Sequence, residues 1–251
     1  MSLRVLILGG TTEATALARL LAGDPRFAAT LSLAGRTSEP RPQPLPTRIG
    51  GFGGIDGLTQ YLRTEQIEAM IDTTHPYADR MSTNAVAACA QVGVPLASLV
   101  RPPWQVAPGD CWQIVPDTDA AALAIGSTPR RVFLSLGRQE LHCFAAAPQH
   151  RYLARLIESP QQDRLPPDLT LIQARGPFDL AAETKLLTQG RIEVVVSKNS
   201  GGSSTYAKIE AARTLGLPVI MIARPDKPAG HVVRTPEEAV AWLVHASRRG
   251  V

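Results

Sequence analysis

The chain has 251 residues, of which 44% are hydrophobic and 19% are charged, a composition that excludes a disordered protein and can fill one large core or two smaller domains. No apolar run approaches the roughly 20 residues of a membrane span, and the first residues lack the layout of a signal peptide, so a cytoplasmic protein without a membrane partner is expected. The cysteines, Cys89, Cys111 and Cys143, are too widely spaced for a disulfide framework or a metal clip, so no metal site is predicted.

The 26 basic residues comprise four lysines and 22 arginines, and the formal net charge is +4. Arginine binds carboxylates and phosphates through paired hydrogen bonds, so this bias suits a ligand with several anionic groups. The base composition of the genome is the competing explanation, and it accounts for the larger part of the arginine bias. Because the arginines are scattered and only 5% of the residues are aromatic, no nucleic-acid partner is expected.

Strand-like and helix-like segments alternate along the first half of the chain. Short apolar runs predict strands, and apolar residues at helical spacing predict the helices between them. The predicted strands are Arg4–Leu8, Ala28–Ala34, a short third strand before Gly50, Ile67–Asp72 and Leu96–Val100. The predicted helices run from the turn at Gly10 to Leu21, from about Ile55 to Thr64 and from about Met81 to Val92.

The second half alternates in the same way. Its predicted strands are Val132–Leu136, Leu169–Ala174, Val194–Ser197 and Val219–Ala223, and its predicted helices lie near Leu180–Thr188, near Thr205–Leu215 and after Thr235. Val5–Glu13 aligns with Val132–Glu140 at an offset of 127, and each half ends in a further strand and helix. An internal duplication explains this likeness. The alternative is coincidence, because any two strand–helix–strand units share similar turn residues at the ends of their elements.

This pattern predicts an α/β protein with two Rossmann-like, doubly wound parallel-sheet domains that meet near residue 127, with the active site in the cleft between them. Residues 1–127 form the first domain and residues 128–251 the second. In open parallel sheets, ligands bind at the carboxyl ends of the strands, where the strand order reverses. The residues that directly follow each strand are therefore the candidates for function.

The turn after the first strand suits a cofactor diphosphate. Its glycines let backbone amides approach the ligand, its threonines add hydroxyl donors, and the next helix presents its N-terminus to negative charge. An ordinary tight turn is the competing interpretation, because the spacing is not that of the G-x-G-x-x-G fingerprint. The cofactor-binding candidates here are Gly9, Gly10, Thr11, Thr12 and Glu13.

Arg36, Thr37 and Ser38 follow the second strand, where an arginine typically meets the 2′-phosphate of NADP. A solvated surface arginine is the alternative. The glycine-rich segment Gly50–Gly54 follows the third strand and indicates backbone close to a ligand or to another loop, and a flexible turn is the alternative.

The segment after the fourth strand would border the nicotinamide end of a dinucleotide. Thr73 and Thr74 are expected to bind the cofactor, and His75 and Tyr77 to donate a proton or position a substrate. The alternative is that His75 caps a helix and Tyr77 packs in the domain interface.

Strand ends in the second half carry cations and a polar loop. Arg138, Arg175 and Lys198 would give the second domain a cationic floor. The loop that begins at Lys198 is rich in glycine and serine and is a good anion cradle, with Asn199, Ser200 and Gly201 as candidates. A second nucleotide site and a structural turn are the alternatives for this loop.

Five short motifs in this order resemble those of the precorrin-6A reductases of cobalamin (vitamin B12) biosynthesis, and the resemblance covers most of the chain. The motifs are Leu8–Glu13, Asp72–Ala78, Arg101–Trp104, Arg175–Phe178 and Lys198–Gly202. The resemblance implies NADPH-dependent reduction of a ring double bond in a metal-free corrin precursor, in which hydride transfer to C19 gives precorrin-6B.

On this basis the first domain is expected to bind NADPH and the second to bind the tetrapyrrole, whose acetate and propionate carboxylates suit Arg138, Arg175 and Lys198. His75 and Tyr77 are candidates for proton delivery, with solvent or a substrate carboxyl as alternatives. The product could be handed to neighbouring pathway enzymes. The rival hypotheses are a non-catalytic NADP-binding sensor and an NADPH reductase of another poly-carboxylated substrate.

Overall fold

A computed structural model describes residues 2–35, 41–160 and 164–249 of the chain, with side chains up to residue 247 in the last range. Within these ranges the chain forms two six-stranded sheets in which all neighbouring strands are parallel. It folds as two compact units, one of Met1–Pro102 with Pro225–Val251 and one of Pro103–Arg224. The predicted class, α/β with two Rossmann-like parallel sheets, is confirmed.

The strands are short and mostly buried. In chain order they are β1 Leu3–Leu8, β2 Phe27–Leu33, β3 Thr47–Ile49, β4 Ala69–Asp72, β5 Leu96–Leu99, β6 Trp112–Val115, β7 Arg131–Ser135, β8 Arg151–Leu156, β9 Leu169–Gln173, β10 Val194–Lys198, β11 Val219–Ile222 and β12 His231–Val233.

Most of the helices join consecutive strands as crossover connections, and the last helix follows the last strand. They are α1 Thr12–Leu21, α2 Gly54–Thr64, α3 Asp79–Val92, α4 Thr118–Ala124, α5 Leu180–Gln189, α6 Ala207–Thr214 and α7 Pro236–Arg249. Short 3₁₀ helices cover Arg138–Ala146 and Ser203–Thr205.

The sheet of the first unit has the strand order β12-β5-β4-β1-β2-β3. The chain moves from β1 through β2 to β3 in one direction and then returns to β4 on the other side of β1. The order therefore reverses between β1 and β4, where Leu8 lies opposite Asp72. The loops after these two strands meet at one edge, which is the ligand position of such sheets.

Residues of β1 alternate between two hydrophobic cores. Val5 and Ile7 pack in a core with residues of α1 and α7, while Leu6 and Leu8 pack in another with residues of α2 and α3. Both faces of the sheet are thus covered, as the continuous apolar run in β1 predicts. This burial fixes the strands that hold the two loops.

The second sheet repeats this arrangement with the order β6-β11-β10-β7-β8-β9. Here the order reverses between β7 and β10, with Ser135 opposite Ser197. One core of this sheet contains Phe133, Leu187 and Ile209, from β7, α5 and α6. The two units therefore present equivalent edges, one after β1 and β4 and the other after β7 and β10.

The units do not divide near residue 127, which corrects the predicted domains 1–127 and 128–251. The strand β6 pairs in parallel with β11 and belongs to the second unit, while β12 pairs with β5 and belongs to the first. Each edge strand is stabilised by a ladder to a partner distant in sequence, a pairing that local periodicity does not reveal. The predicted roles of the two domains stay predictions, as does an active site in the cleft between them.

Among the described residues, no helix has the combined length and apolar character of a membrane span. The same residues contain no group of three or more His, Cys, Asp or Glu placed to hold a metal ion.

Candidate active site

The turn between β1 and α1 uses its two glycines differently. A Cβ at Gly9 would lie 2.7 Å from Cδ1 of Leu31 on β2, so glycine lets this turn pack closely against β2. Gly10 has a φ of 109°, which favours glycine, and no atom of the described residues lies within 4 Å of the place that its Cβ would take. The backbone at Gly10 is therefore open to a ligand.

Thr11 caps the N-terminus of α1 and joins it to β4. Its Oγ1 accepts a hydrogen bond from the Ala14 amide at 3.1 Å and donates one to the Thr73 carbonyl at 2.8 Å. The first-turn amides of Thr12 and Glu13 have no intrahelical acceptor in such a helix, and they lie at the positive end of its dipole. This end of α1 can therefore receive a phosphate group.

Glu13 is held by an arginine that follows β5. The Nη1 of Arg101 lies 2.6 Å from Oε2 of Glu13, and both side chains are largely buried. Thr12 donates to the same carboxylate oxygen at 3.1 Å. The ion pair neutralises a negative charge that would otherwise repel an anion at this helix end.

Asp72 at the end of β4 is buried, with 2% of its surface exposed. Its Oδ1 accepts hydrogen bonds from the amide and hydroxyl of Thr74 at 2.9 and 2.7 Å. Its Oδ2 accepts one from the Ser82 hydroxyl on α3 and lies 3.4 Å from Nζ of Lys227. The buried carboxylate thus has a cation and three hydrogen-bond donors as partners.

The two threonines after β4 bind protein groups. Thr73 is 1% exposed, and its hydroxyl donates to the Leu8 carbonyl at 2.5 Å. The hydroxyl of Thr74 donates to Asp72 and accepts from Lys227 at 2.9 Å. Thr73 and Thr74 therefore fix the loop after β4 to β1 and to the segment that carries Lys227.

His75 and Tyr77 lie side by side in the loop that leads to α3. Their ring centroids are 5.6 Å apart, and the Tyr77 amide approaches Nδ1 of His75 at 3.4 Å. With Nδ1 as the acceptor, the proton of a neutral imidazole ring lies on Nε2. The N-cap residue of α3 is Ala78, whose methyl side chain cannot form a capping hydrogen bond.

The glycine-rich segment Gly50–Gly54 is held by Arg48 of β3. The guanidinium group donates to the carbonyl oxygens of Gly50 and Gly51 at 2.7 and 3.0 Å. It also lies 3.9 Å from the centre of the Phe52 ring. Hydrogen bonds and a cation–π contact therefore fix this loop, which disfavours the alternative of a flexible turn.

A carboxylate occupies the equivalent turn of the second unit. Glu140 accepts a hydrogen bond from the Gly137 amide at 3.1 Å and forms an ion pair with Lys198 at the end of β10. The segment after β7 is a 3₁₀ helix instead of an α-helix. The Gly137 amide is thus already bound to a side chain, which disfavours a phosphate at this turn.

The polar loop after β10 is anchored through Asn199 and Ser200. The Asn199 side chain accepts from the Trp104 amide at 2.7 Å and donates to the Trp104 carbonyl at 3.0 Å. Ser200 is 8% exposed and lies 3.3 Å from the Thr205 hydroxyl. Gly201 has a φ of 72°, as a tight turn requires. Asn199 and Ser200 therefore support the loop from inside.

The predicted cations of the second unit lie at one edge of its sheet, because all its strands are parallel. Arg138 follows β7 and lies 3.1 Å from Glu158, and Lys198 ends the neighbouring β10. Arg175 is exposed and follows β9, which β8 separates from β7. Arg175 is therefore farther from the other two than expected, since β8 was not predicted. Arg36, Thr37 and Ser38 lie outside the described residues.

Comparison with known proteins assigns the chain to a family. The model of the family described as Precorrin-6x reductase CbiJ/CobK matches residues 4–244. The chain belongs to this family.

Relatives that cover almost the whole chain agree with this assignment. A protein named precorrin-6A reductase from Rhodobacter capsulatus is 52% identical over 250 residues, which are 99% of each chain. Another of that name from Sinorhizobium sp is 49% identical over 242 residues, which are 96% of this chain and 93% of the relative. A solved structure described as CobK precorrin-6A reductase is 52% identical, has a TM-score of 0.92 and covers 98% of this chain and 97% of that one. The resemblance noted in the sequence is thus confirmed.

Two cations in this precorrin-6x reductase family member were missed as site residues. Arg101 reaches Glu13 from the end of β5, and Lys227 reaches Asp72 and Thr74 from the segment before β12. The motif Arg101–Trp104 and the scarcity of lysine were available signals, but neither identifies a partner. The structure therefore adds two long-range contacts to the loops that strand position had identified.

Buried charges support the polar loop of the second unit. Arg155 of β8 binds Glu183 of α5, with 7% and 2% of the side chains exposed. Lys208 of α6 is 3% exposed and donates to the Thr205 carbonyl at 2.8 Å. Burial, and secondarily the charge of Arg155, lowers the pKa of Lys208 to about 7, although Glu183 opposes this shift.

Proposed function

We propose that this protein is an NADPH-dependent precorrin-6A reductase that forms precorrin-6B by hydride transfer to C19 of the macrocycle. Membership of the precorrin-6x reductase family supports the reaction, and the two named relatives and the solved structure support the metal-free substrate. Such a biosynthetic reaction between water-soluble molecules suits the cytoplasm, and its product could be handed to a neighbouring enzyme of the pathway.

The open backbone at Gly10 carries the cofactor assignment. A diphosphate would fit beside this residue, because glycine has no side chain and the described residues leave the space at its Cβ position open. Thr11 and Thr12 follow at the start of α1, where amides and the helix dipole favour an anion. Arg36, with Thr37 and Ser38, would bind the 2′-phosphate that distinguishes NADPH from NADH. When bound, NADPH supplies the hydride.

The protein then has to orient the reactants and deliver a proton. The loop after β4 follows the strand next to β1, so it would border the nicotinamide end of the site. Thr73 and Thr74 fix the backbone of this loop. His75 at Nε2 and Tyr77 at its hydroxyl are the candidates to hold the proton that accompanies reduction.

The substrate carboxylates would bind at the carboxyl edge of the second sheet. Lys198 and Arg138 lie after neighbouring strands and can each pair with a carboxylate, and Arg175 can reach a more distant one. Asn199 and Ser200 would shape the loop, and Gly201 would let its backbone approach the macrocycle. Several such ion pairs would fix the orientation of a poly-anionic ring.

Purified protein mixed with NADPH and precorrin-6A tests the proposal directly. We expect oxidation of the cofactor together with a shift in the tetrapyrrole spectrum. Binding of NADPH without turnover would instead support a sensor, and turnover only with another poly-carboxylated compound would support a different reductase.

Replacing Arg36 tests the choice of cofactor. Arg36→Asp should raise KM for NADPH by about 10- to 100-fold and leave KM for NADH nearly unchanged, since only NADPH carries the 2′-phosphate. Steady-state kinetics with both cofactors measure this ratio. An equal change in the two KM values would remove Arg36 from the proposed phosphate site.

A further inference from the structure

Lys227 contacts the loop after β4 although 153 positions separate it from Thr74. Its Nζ lies 2.9 Å from the hydroxyl oxygen of Thr74, 3.4 Å from the carbonyl oxygen of Thr74 and 3.4 Å from Oδ2 of Asp72. The lysine side chain is 15% exposed. One ammonium group therefore contacts both the buried carboxylate at the end of β4 and Thr74, the second residue of the loop beyond it.

Thr74 is where this loop leaves the sheet. Its amide and hydroxyl hydrogens are donated to Asp72, so its hydroxyl lone pairs and its carbonyl are left to accept from Lys227. The next residue is His75, and Tyr77 follows two positions later. Lys227 thus fixes the backbone directly before the two side chains with proton-transfer chemistry.

We infer that Lys227 is a positioning residue of the reductase, which acts by holding Thr74 so that His75 and Tyr77 face the reacting atoms correctly. This inference rests on the proposed function. A displacement of about 1 Å in a reacting geometry can cost on the order of 100-fold in rate. The cofactor diphosphate is assigned to the other loop, at Gly10, so loss of Lys227 should change kcat much more than the affinity for NADPH.

A double-mutant cycle between Lys227 and Thr74 tests this inference. Lys227→Met removes the ammonium group, and Thr74→Val removes the hydroxyl group with little change in shape. Each variant should lower kcat by about 10- to 100-fold while the Kd for NADPH stays within about twofold. Because both changes break the same contact, the double variant should be no slower than the slower single variant. Lys185→Met, at an exposed position on α5, is the matched control and should keep the wild-type kcat.

A second variant separates positioning from charge balance. Lys227→Met leaves the Asp72 carboxylate buried without this cation, and such a loss can lower stability or prevent folding. In Asp72→Asn with Lys227→Met, both charges are gone, so the melting temperature should return towards the wild-type value while kcat stays low. This result supports positioning, because stability and rate then separate.

Three results would overturn the inference. Full recovery of kcat in the charge-free double variant would show that Lys227 only balances Asp72. Multiplicative losses in the cycle with Thr74→Val, or an unchanged kcat in Lys227→Met, would show that the contact with Thr74 does not act in the reaction. If the wild-type protein fails to oxidise NADPH with precorrin-6A, the proposed function itself fails and takes this inference with it.

Discussion

The two sheets have the same strand order, but their equivalent edges differ in how they can receive a phosphate group. After β1 the chain makes an open turn at Gly10 and enters a ten-residue α-helix that Thr11 caps. After β7 the chain enters a 3₁₀ helix, and the Glu140 carboxylate accepts a hydrogen bond from the Gly137 amide. The same topology therefore yields one edge with available amides and one edge already closed by a carboxylate.

The glutamates that align at the offset of 127 account for much of this difference. Glu13 lies within the first turn of α1 and pairs with Arg101, which leaves the turn at Gly10 clear. Glu140 folds back to Gly137 and pairs with Lys198. A glutamate after the strand thus supports the proposed anion site in one unit and fills the equivalent position in the other. The residues that each glutamate contacts therefore decide its role more than the shared motif does.

Alanine at the two equivalent glycines should give the largest contrast between the edges. Gly10→Ala adds a Cβ where φ is 109° and where the diphosphate is proposed to lie, so the Kd for NADPH should rise by about 100-fold. Gly137→Ala, at a φ of −76°, should leave that Kd within about twofold. Isothermal titration calorimetry measures both values. A larger loss from Gly137→Ala would assign the cofactor to the second unit.

Lys198→Ala should weaken the binding of precorrin-6A and leave the binding of NADPH nearly unchanged. Loss of this ammonium group removes a partner for a tetrapyrrole carboxylate, so KM for precorrin-6A should rise by about tenfold while KM for NADPH stays nearly constant. Lys185→Ala, at an exposed position on α5, is the matched control. The opposite pattern, with NADPH weakened and the tetrapyrrole unaffected, would reverse the assignment of the two edges.

Breaking the pair between Arg101 and Glu13 should make the first edge resemble the second. Arg101→Gln leaves the Glu13 carboxylate near the proposed diphosphate without its cation, so NADPH should bind about three- to tenfold more weakly. Adding Glu13→Gln should restore most of the affinity, because the repulsive charge is then removed. NADPH titrations of the single and double variants measure this. A double variant as weak as Arg101→Gln would show that Arg101 acts other than by neutralising Glu13.

The smallest expected effect is a pH dependence of stability that Lys208 introduces into the second unit. Burial lowers the pKa of Lys208 to about 7 from its usual 10.5, so between these values the unfolded chain binds more protons than the folded chain. Stability should therefore rise with pH, by less than about 1.4 kcal/mol per pH unit. Lys208→Met should remove this rise, as urea unfolding between about pH 7 and about pH 8.5 would measure.

The upper limit of that range follows from the cysteines. Burial raises the pKa of Cys89 to about 12 and that of Cys143 to about 11, whereas thiols of the unfolded chain ionise near their ordinary value. Above about pH 8.5 this difference lowers stability and would mask the contribution of Lys208. An equal slope in the wild type and in Lys208→Met below that limit would contradict the prediction.

Most of the fold follows from apolar runs, and the exceptions have physical causes. The strand β8 was missed because arginines interrupt its apolar residues, and Arg155 is buried there in an ion pair with Glu183 and against the Phe178 ring. The edge strands β6 and β12 were recognised as strands but assigned to the wrong halves. Their positions depend on ladders to β11 and β5, which a local pattern does not specify.

The site was predictable to the extent that it depends on strand ends. The rule that ligands bind where strand order reverses identified the turn at Gly10 and the loop at Thr73, and the structure brings these together through Thr11. The rule did not identify Lys227, because that residue lies 153 positions after Thr74 in the sequence. Side-chain partners across such distances are fixed by the assembled sheet.

A crystal structure of the protein with NADP⁺ tests the central claim most directly. The measured quantity is the distance from the diphosphate oxygens to the backbone amide nitrogens after β1. We predict hydrogen bonds of about 3 Å to the amides between Gly10 and Glu13. A diphosphate bound instead at Gly137 or at the loop after Lys198 would contradict the account.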